Sequence, residues 1–182
     1  MRRYIITGAP GAGKTTILTA LRARGYAVVD EAATDVIARE QALGRGEPWR
    51  DAGFVNAIAL LQQQRQEQTP PLGTAVQVFD RSPICTLALA RYGGQPVTPT
   101  LANEVDRIVR DRIYQPQVLF VHLLGFITPT AARRISLAQS LRFERFHKQA
   151  YGDHGFELVD VPAGTAEERV DLVDRCIRSW LQ

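Results

Sequence analysis

Glycines at positions 8, 11 and 13, followed by Lys14 and Thr15, are the residues whose types and spacing say most about chemistry in this chain. The run Gly8-Ala9-Pro10-Gly11-Ala12-Gly13-Lys14-Thr15-Thr16 satisfies the phosphate-binding pattern GxxxxGK[ST] in full. Glycines let a backbone curl tightly, so that successive N–H groups and the positive end of a following helix point at one anionic ligand. Gly8, Gly11, Ala12, Gly13, Lys14, Thr15 and Thr16 are therefore expected to cradle a nucleotide. Lys14 would reach its β- and γ-phosphates, and the Thr15 hydroxyl would hold a magnesium ion. The rival fingerprint GxGxxG does not occur in this stretch, which argues against a dinucleotide site.

Two further acidic strings stand where they could serve such a ligand. Asp30-Glu31 ends the apolar run Tyr26-Ala27-Val28-Val29 and follows the loop by a single helix, too soon for the usual magnesium carboxylate. At the carboxyl end of a parallel strand the pair would sit on the rim of the ligand crevice, or else cap a helix starting near Ala32. Asp80 ends Ala75-Val76-Gln77-Val78-Phe79 at the spacing that fits a magnesium-shell carboxylate. Downstream, residues 129 to 151 are rich in arginine. If they formed one helix, Arg134, Arg142, Arg145 and Lys148 would share about a third of its circumference at roughly 100° per residue. Such a stripe suits a lid over roughly residues 126–150 that clamps phosphates, or a solvated basic face with Glu144 as partner. Gln62-Gln63-Gln64-Arg65-Gln66 reads as a solvated face rather than a pocket lining. His122, His147 and His154 have no metal-ligand spacing and read as structural.

The elements that must position these residues follow from punctuation and periodicity. Tyr4-Ile5-Ile6 reads as a buried strand, and Ile17, Leu18 and Leu21 as the inner face of a helix that Gly25 closes. Helices are expected over 33–43, about 51–68 and 99–113. Ser82-Pro83, Thr98-Pro99 and Thr128-Pro129 each read as a helix start, and Gly93-Gly94 as a helix end. A fourth strand spans 116–123 and a fifth 155–161. After the tight loop Pro162-Ala163-Gly164, Thr165 and Glu168 form a capping box for a helix that buries Val170, Val173, Ile177 and Trp180. Strands alternating with helices predict an α/β fold, a doubly wound five-stranded parallel sheet.

The 182 residues suit one domain over 1–182, and 45% apolar with 23% charged residues excludes a disordered chain. No apolar run reaches membrane-spanning length and no signal peptide is read, so a cytoplasmic protein is expected. Cys85 and Cys176 stand alone, which suggests buried thiols in a reducing compartment rather than a disulfide or a zinc site. The net charge is +3, and of the 22 basic residues only Lys14 and Lys148 are lysines. The basic residues are interleaved with acids, which argues against a nucleic-acid partner.

Taken together, ITGAPGAGKTT at the start, DEAA after the second strand, VFDRSP after the third, the basic stretch 133–148 and FELVDVP near the end resemble the nucleoside and nucleotide kinases of the P-loop class. The likeness is nearest to the predicted AAA-type ATPase family of short bacterial chains and to the related ribosylnicotinamide kinase domain, and it covers nearly the whole sequence. The resemblance implies a P-loop NTPase fold, nucleotide-kinase-like, with an Arg-rich lid. It implies Glu31 or Asp30 as the base that approaches an acceptor hydroxyl, and Asp80 in the magnesium shell. It makes Arg81 a substrate or transition-state contact, Arg133 or Arg134 the lid donor, and Pro162-Ala163-Gly164 the turn against the adenine. The function expected is that of an ATP- and magnesium-dependent kinase acting on a small nucleoside-like or other hydroxylated metabolite. The alternatives are a regulatory ATPase that binds a protein partner and, last, a nucleic-acid end kinase.

Overall fold

A computed structural model describes residues 1–51, 53–125 and 136–182. Its centre is β1 (Arg2–Thr7), whose residues alternate between two buried faces, as a parallel strand covered on both sides must. Tyr4 and Ile6 join a cluster with Ile17, Leu18 and Leu21 of α1 (Lys14–Ala23) and Val170, Val173 and Ile177 of α7 (Ala166–Leu181). Ile5 faces the opposite way, into a second cluster supplied by α3 (Phe54–Glu67), α4 (Pro83–Tyr92), α5 (Pro99–Arg110) and α6 (Leu137–Asp153).

The other strands are β2 (Ala27–Val29), β3 (Val76–Asp80), β4 (Gln117–Val121) and β5 (Glu157–Val161). They pair in the order β2-β3-β1-β4-β5, all parallel. The chain leaves β1 toward β2 and β3 on one side and crosses to β4 and β5 on the other. The carboxyl end of β1 is thus the point where the strand order reverses, where open α/β sheets hold their ligands. Ile6 is in register with Asp80, so the ends of β1 and β3 lie side by side. The five-stranded parallel sheet is the one expected from the sequence.

Several local expectations change. The helix expected from about residue 51 is preceded by a short 3₁₀ turn, Pro48–Arg50, and α3 begins at Phe54 after the Asp51 carboxylate accepts from the Gly53 N–H at 2.6 Å. Ser82 stands at the N-cap of α4, but its hydroxyl does not cap: it meets the Tyr151 hydroxyl at 2.9 Å and ties α4 to α6. Thr98 does cap α5, accepting from the Leu101 N–H. The helix start at Thr128-Pro129 lies outside the described residues. Within them, α6 starts at Leu137 through a capping box formed by Ser136 and Gln139. Residues 137–150 of the expected lid form a packed helix, with Phe143, His147 and Ala150 buried.

Gln62 and Gln66 are buried, against the expectation of a solvated face. Thr86 donates to Gln62 at 2.9 Å, and Gln66 donates to Glu104 at 3.1 Å. Arg107 also donates to the Gln66 side-chain oxygen. The partners come from α4 and α5, so tertiary packing rather than the helix's own pattern decides what these amides do. Trp180 is half-buried where full burial was expected, and tilts against Tyr4 with ring centroids 5.1 Å apart.

Candidate active site

The loop from Gly8 to Gly13 carries β1 into α1. Gly8 has φ +141°, and a Cβ there would stand 2.3 Å from the Val121 carbonyl oxygen, so the end of β4 leaves room for glycine alone. Gly13 is the N-cap of α1 in a left-handed conformation, which turns the first N–H groups of the helix toward the loop's mouth. Thr15 and Thr16 are exposed at that mouth.

Lys14 is buried, and its Nζ donates to the carbonyls of Gly8 at 3.0 Å and Ala9 at 3.2 Å. Burial, reinforced by the Arg81 guanidinium, lowers its pKa to about 8, although Asp80 and Glu31 pull the other way. Asp80 closes β3, and burial raises its pKa against the pull of Lys14 and Arg81. Its Oδ1 is buried without a hydrogen-bond partner among the described residues.

Arg81 follows with φ +74°, a strained value for a residue with a Cβ. Its N–H bonds to the Ile6 carbonyl at 3.0 Å, and two of its guanidinium nitrogens are engaged below the loop. Nη1 donates to the Gly8 carbonyl and to Cys85 Sγ, both at 3.1 Å, while Nε is ion-paired with Glu31 Oε1. Glu31 occupies the N-cap of α2 (Ala32–Ala42), but its carboxylate does not cap that helix. It accepts from the Thr34 hydroxyl at 3.0 Å and faces Arg81. Burial works to raise its pKa, yet Arg81 and Lys14 outweigh it, so Glu31 stays ionised below the usual carboxylate range. Asp30 diverges from its neighbour: it is exposed and paired with Arg22 at 2.7 Å. Of the acidic pair, only Glu31 meets the loop's cations.

Behind Arg81 lies a buried relay that sequence reasoning missed. His147 Nδ1 must donate to the Phe143 carbonyl at 3.2 Å, which leaves Nε2 to accept from the Cys85 thiol at 2.9 Å. Burial, with Arg81 and Lys14 nearby, lowers the His147 pKa well below its ordinary value, and burial raises that of the Cys85 thiol. Both are neutral. No spacing in the sequence links residue 85 to residue 147; only the packing of α4 on α6 does. Ser140 of α6 donates to the Pro10 carbonyl at 3.4 Å, so α6 also touches the loop.

Pro162, Ala163 and Gly164 are exposed beyond β5, on the flank of the loop where Arg169 meets Gly13. Arg133 and Arg134 lie outside the described residues. Arg142 rests over the Tyr92 ring and Lys148 over the Phe120 ring, with Arg145 exposed. The site therefore gathers two cations, Lys14 and Arg81, and two carboxylates, Glu31 and Asp80, around a loop of convergent N–H groups. Such a constellation can bind a polyphosphate, neutralise charge on it and approach its distal end with a carboxylate.

The sequence family described as an AAA domain matches residues 3–169. The chain belongs to that family. This AAA-domain chain is 31% identical over 159 residues to a nucleotide-binding protein of Granulibacter bethesdensis; the match takes in 83% of the chain and 48% of the relative, so the chain spans about half the length of the curated protein it matches. Its fold is that of P-loop kinases. It overlays deoxyadenosine kinase from M. mycoides, carrying dCMP and dCDP, with a TM-score of 0.60 at 15% identity, over 97% of this chain and 98% of that one. It overlays the NadR protein in complex with NAD and AMP-PNP with a TM-score of 0.67 at 16% identity, over 96% of this chain and 48% of that one.

Proposed function

We propose that this AAA-domain chain is an ATP- and magnesium-dependent kinase that phosphorylates a hydroxyl of a small, nucleoside-like metabolite. The observation that carries the reading is the placement of Glu31 against Arg81, both beneath Gly8 of the phosphate loop. An ionised carboxylate paired with a cation is suited to receive an acceptor's hydroxyl proton while the cation holds the acceptor or the transferring group.

The residues present fit a magnesium ion. The unpartnered Asp80 Oδ1 and the exposed Thr15 hydroxyl would hold it. Bound there, it would supply charge neutralisation to the polyphosphate. Lys14 exchanges its two loop carbonyls for phosphate oxygens, and Arg81 neutralises charge that develops on the transferring group. Glu31 orients the acceptor hydroxyl and takes its proton. The exposed turn Pro162 to Gly164 would contact the base of the nucleotide, and Arg133 or Arg134 would be the further phosphate contact. The acceptor is a small molecule rather than a nucleic acid, and the unpaired thiols Cys85 and Cys176 fit a reducing cytoplasm.

The test is incubation of the full chain with labelled ATP and magnesium against a panel of nucleosides, nucleotides, sugars and oligonucleotides. ADP release that depends on one acceptor class, with label on the product, is expected. Turnover that ignores every acceptor would overturn the kinase reading in favour of a regulatory ATPase.

A further inference from the structure

Arg169 has no place in the chemistry above, yet it is one of the least exposed charged side chains of the chain, with 4% relative exposure. It sits one turn into α7, and its Nη2 donates to the His122 carbonyl at 2.9 Å, just past the end of β4. Nη1 reaches the phosphate loop from outside: a Cβ on Gly13 would come within 3.0 Å of it. Nε is buried and finds no acceptor among the described residues. The nearby acids are engaged elsewhere, Asp160 with His122 and Glu168 with Thr165. Burial is the one influence on its titration, and it disfavours the charge; no carboxylate offsets it. A guanidinium nonetheless keeps its proton.

A buried cation without a counter-charge is costly, and among the described residues only the His122 carbonyl meets this one, with no carboxylate beside it. Its position at the N-cap of α1 adds a second positive source, the first N–H groups of that helix, aimed the same way. We propose that Arg169 is a nucleotide-phosphate ligand: the missing counter-charge is the phosphate chain of the bound nucleotide, on the side of the loop that leads to the base. The proposal rests on the nucleotide-binding part of the reading above and not on phosphoryl transfer. It adds a cation from α7 to Lys14 at the start of α1, so that α7 takes part in recognising the ligand.

The experiment measures binding of inorganic tripolyphosphate, ADP and adenosine to the full chain by calorimetry, for wild type, Arg169→Met, Arg169→Lys and Lys14→Ala. Methionine keeps the buried stem and removes the charge; lysine keeps the charge and guards against a packing defect. Arg169→Met should weaken tripolyphosphate and ADP about tenfold or more, leave adenosine unchanged, and be no less stable than wild type without ligand. Arg169→Lys should fall between the two. Tripolyphosphate affinity within twofold of wild type in Arg169→Met, while Lys14→Ala loses it, would overturn the proposal and leave the nucleotide reading standing. A loss confined to adenosine would make Arg169 a base contact and overturn it equally. A wild-type chain that binds no tripolyphosphate would remove the nucleotide reading and this inference together.

Discussion

Lys14 and Glu31 illustrate how far a side chain's chemistry is set by its neighbours. The amine of Lys14 is lowered to about 8 in the free protein because it is buried beside Arg81. A bound polyphosphate would favour its charged form, so nucleotide affinity should be full below pH 8 and decline as pH rises through that value. Calorimetry at pH 8.5 in buffers of different ionisation enthalpy should therefore record proton uptake on ADP binding. Glu31→Gln should lower acceptor-dependent turnover by about 10²- to 10⁴-fold with ADP affinity retained, read from steady-state rates and calorimetry. Wild-type turnover in that variant would remove Glu31 from the mechanism. The loop residues and Asp80 were legible in the sequence, because a local pattern suffices to name them. The choice of Glu31 over Asp30 was not: it depends on Arg22 drawing one carboxylate outward and Arg81 drawing the other in. Cys85 as a buried thiol and His147 as structural were legible, but their partners, like those of Arg169, were not, since each meets them only through the docking of distant helices.

Strand ends and helix starts carry the site, and they differ in how clearly they can be read. The loop's geometry depends on β4 as much as on β1, because the Val121 carbonyl occupies the space a side chain at position 8 would need. Gly8→Ala should cost about 3 kcal/mol of stability in urea denaturation, from the clash and the positive φ together, and abolish ADP binding. Unchanged binding would mean that the loop relocates freely. Helix starts with proline at the first position, Pro83 and Pro99, were found from sequence. The start of α6 was not, although Ser136 and Gln139 form a readable capping box. The arginine pattern running through it spoke for one longer helix. Gln62 and Gln66 were misread because period alone cannot distinguish a solvated amide from one buried against another helix's hydroxyl and guanidinium groups.

Across the whole molecule, one sheet with two buried faces holds the site's parts in a common frame. Ile5 and Ile6 are adjacent and both fully buried, one toward α3 to α6 and the other toward α1 and α7. Ile5→Ala and Ile6→Ala should each cost about 2–5 kcal/mol, measured by denaturant unfolding, because each opens a cavity in a different layer. The parallel fold class was legible because alternating strand and helix patterns allow few arrangements. The buried contact of Cys85 with Arg81 and His147 shields its sulfur from solvent. A thiol reagent should reach this sulfur only when α4 and α6 part, so its rate of modification would read out local opening of that helix contact. Half-buried Cys176 should react first, and ADP should slow Cys85 without slowing Cys176, as mass spectrometry of the labelled chain would record.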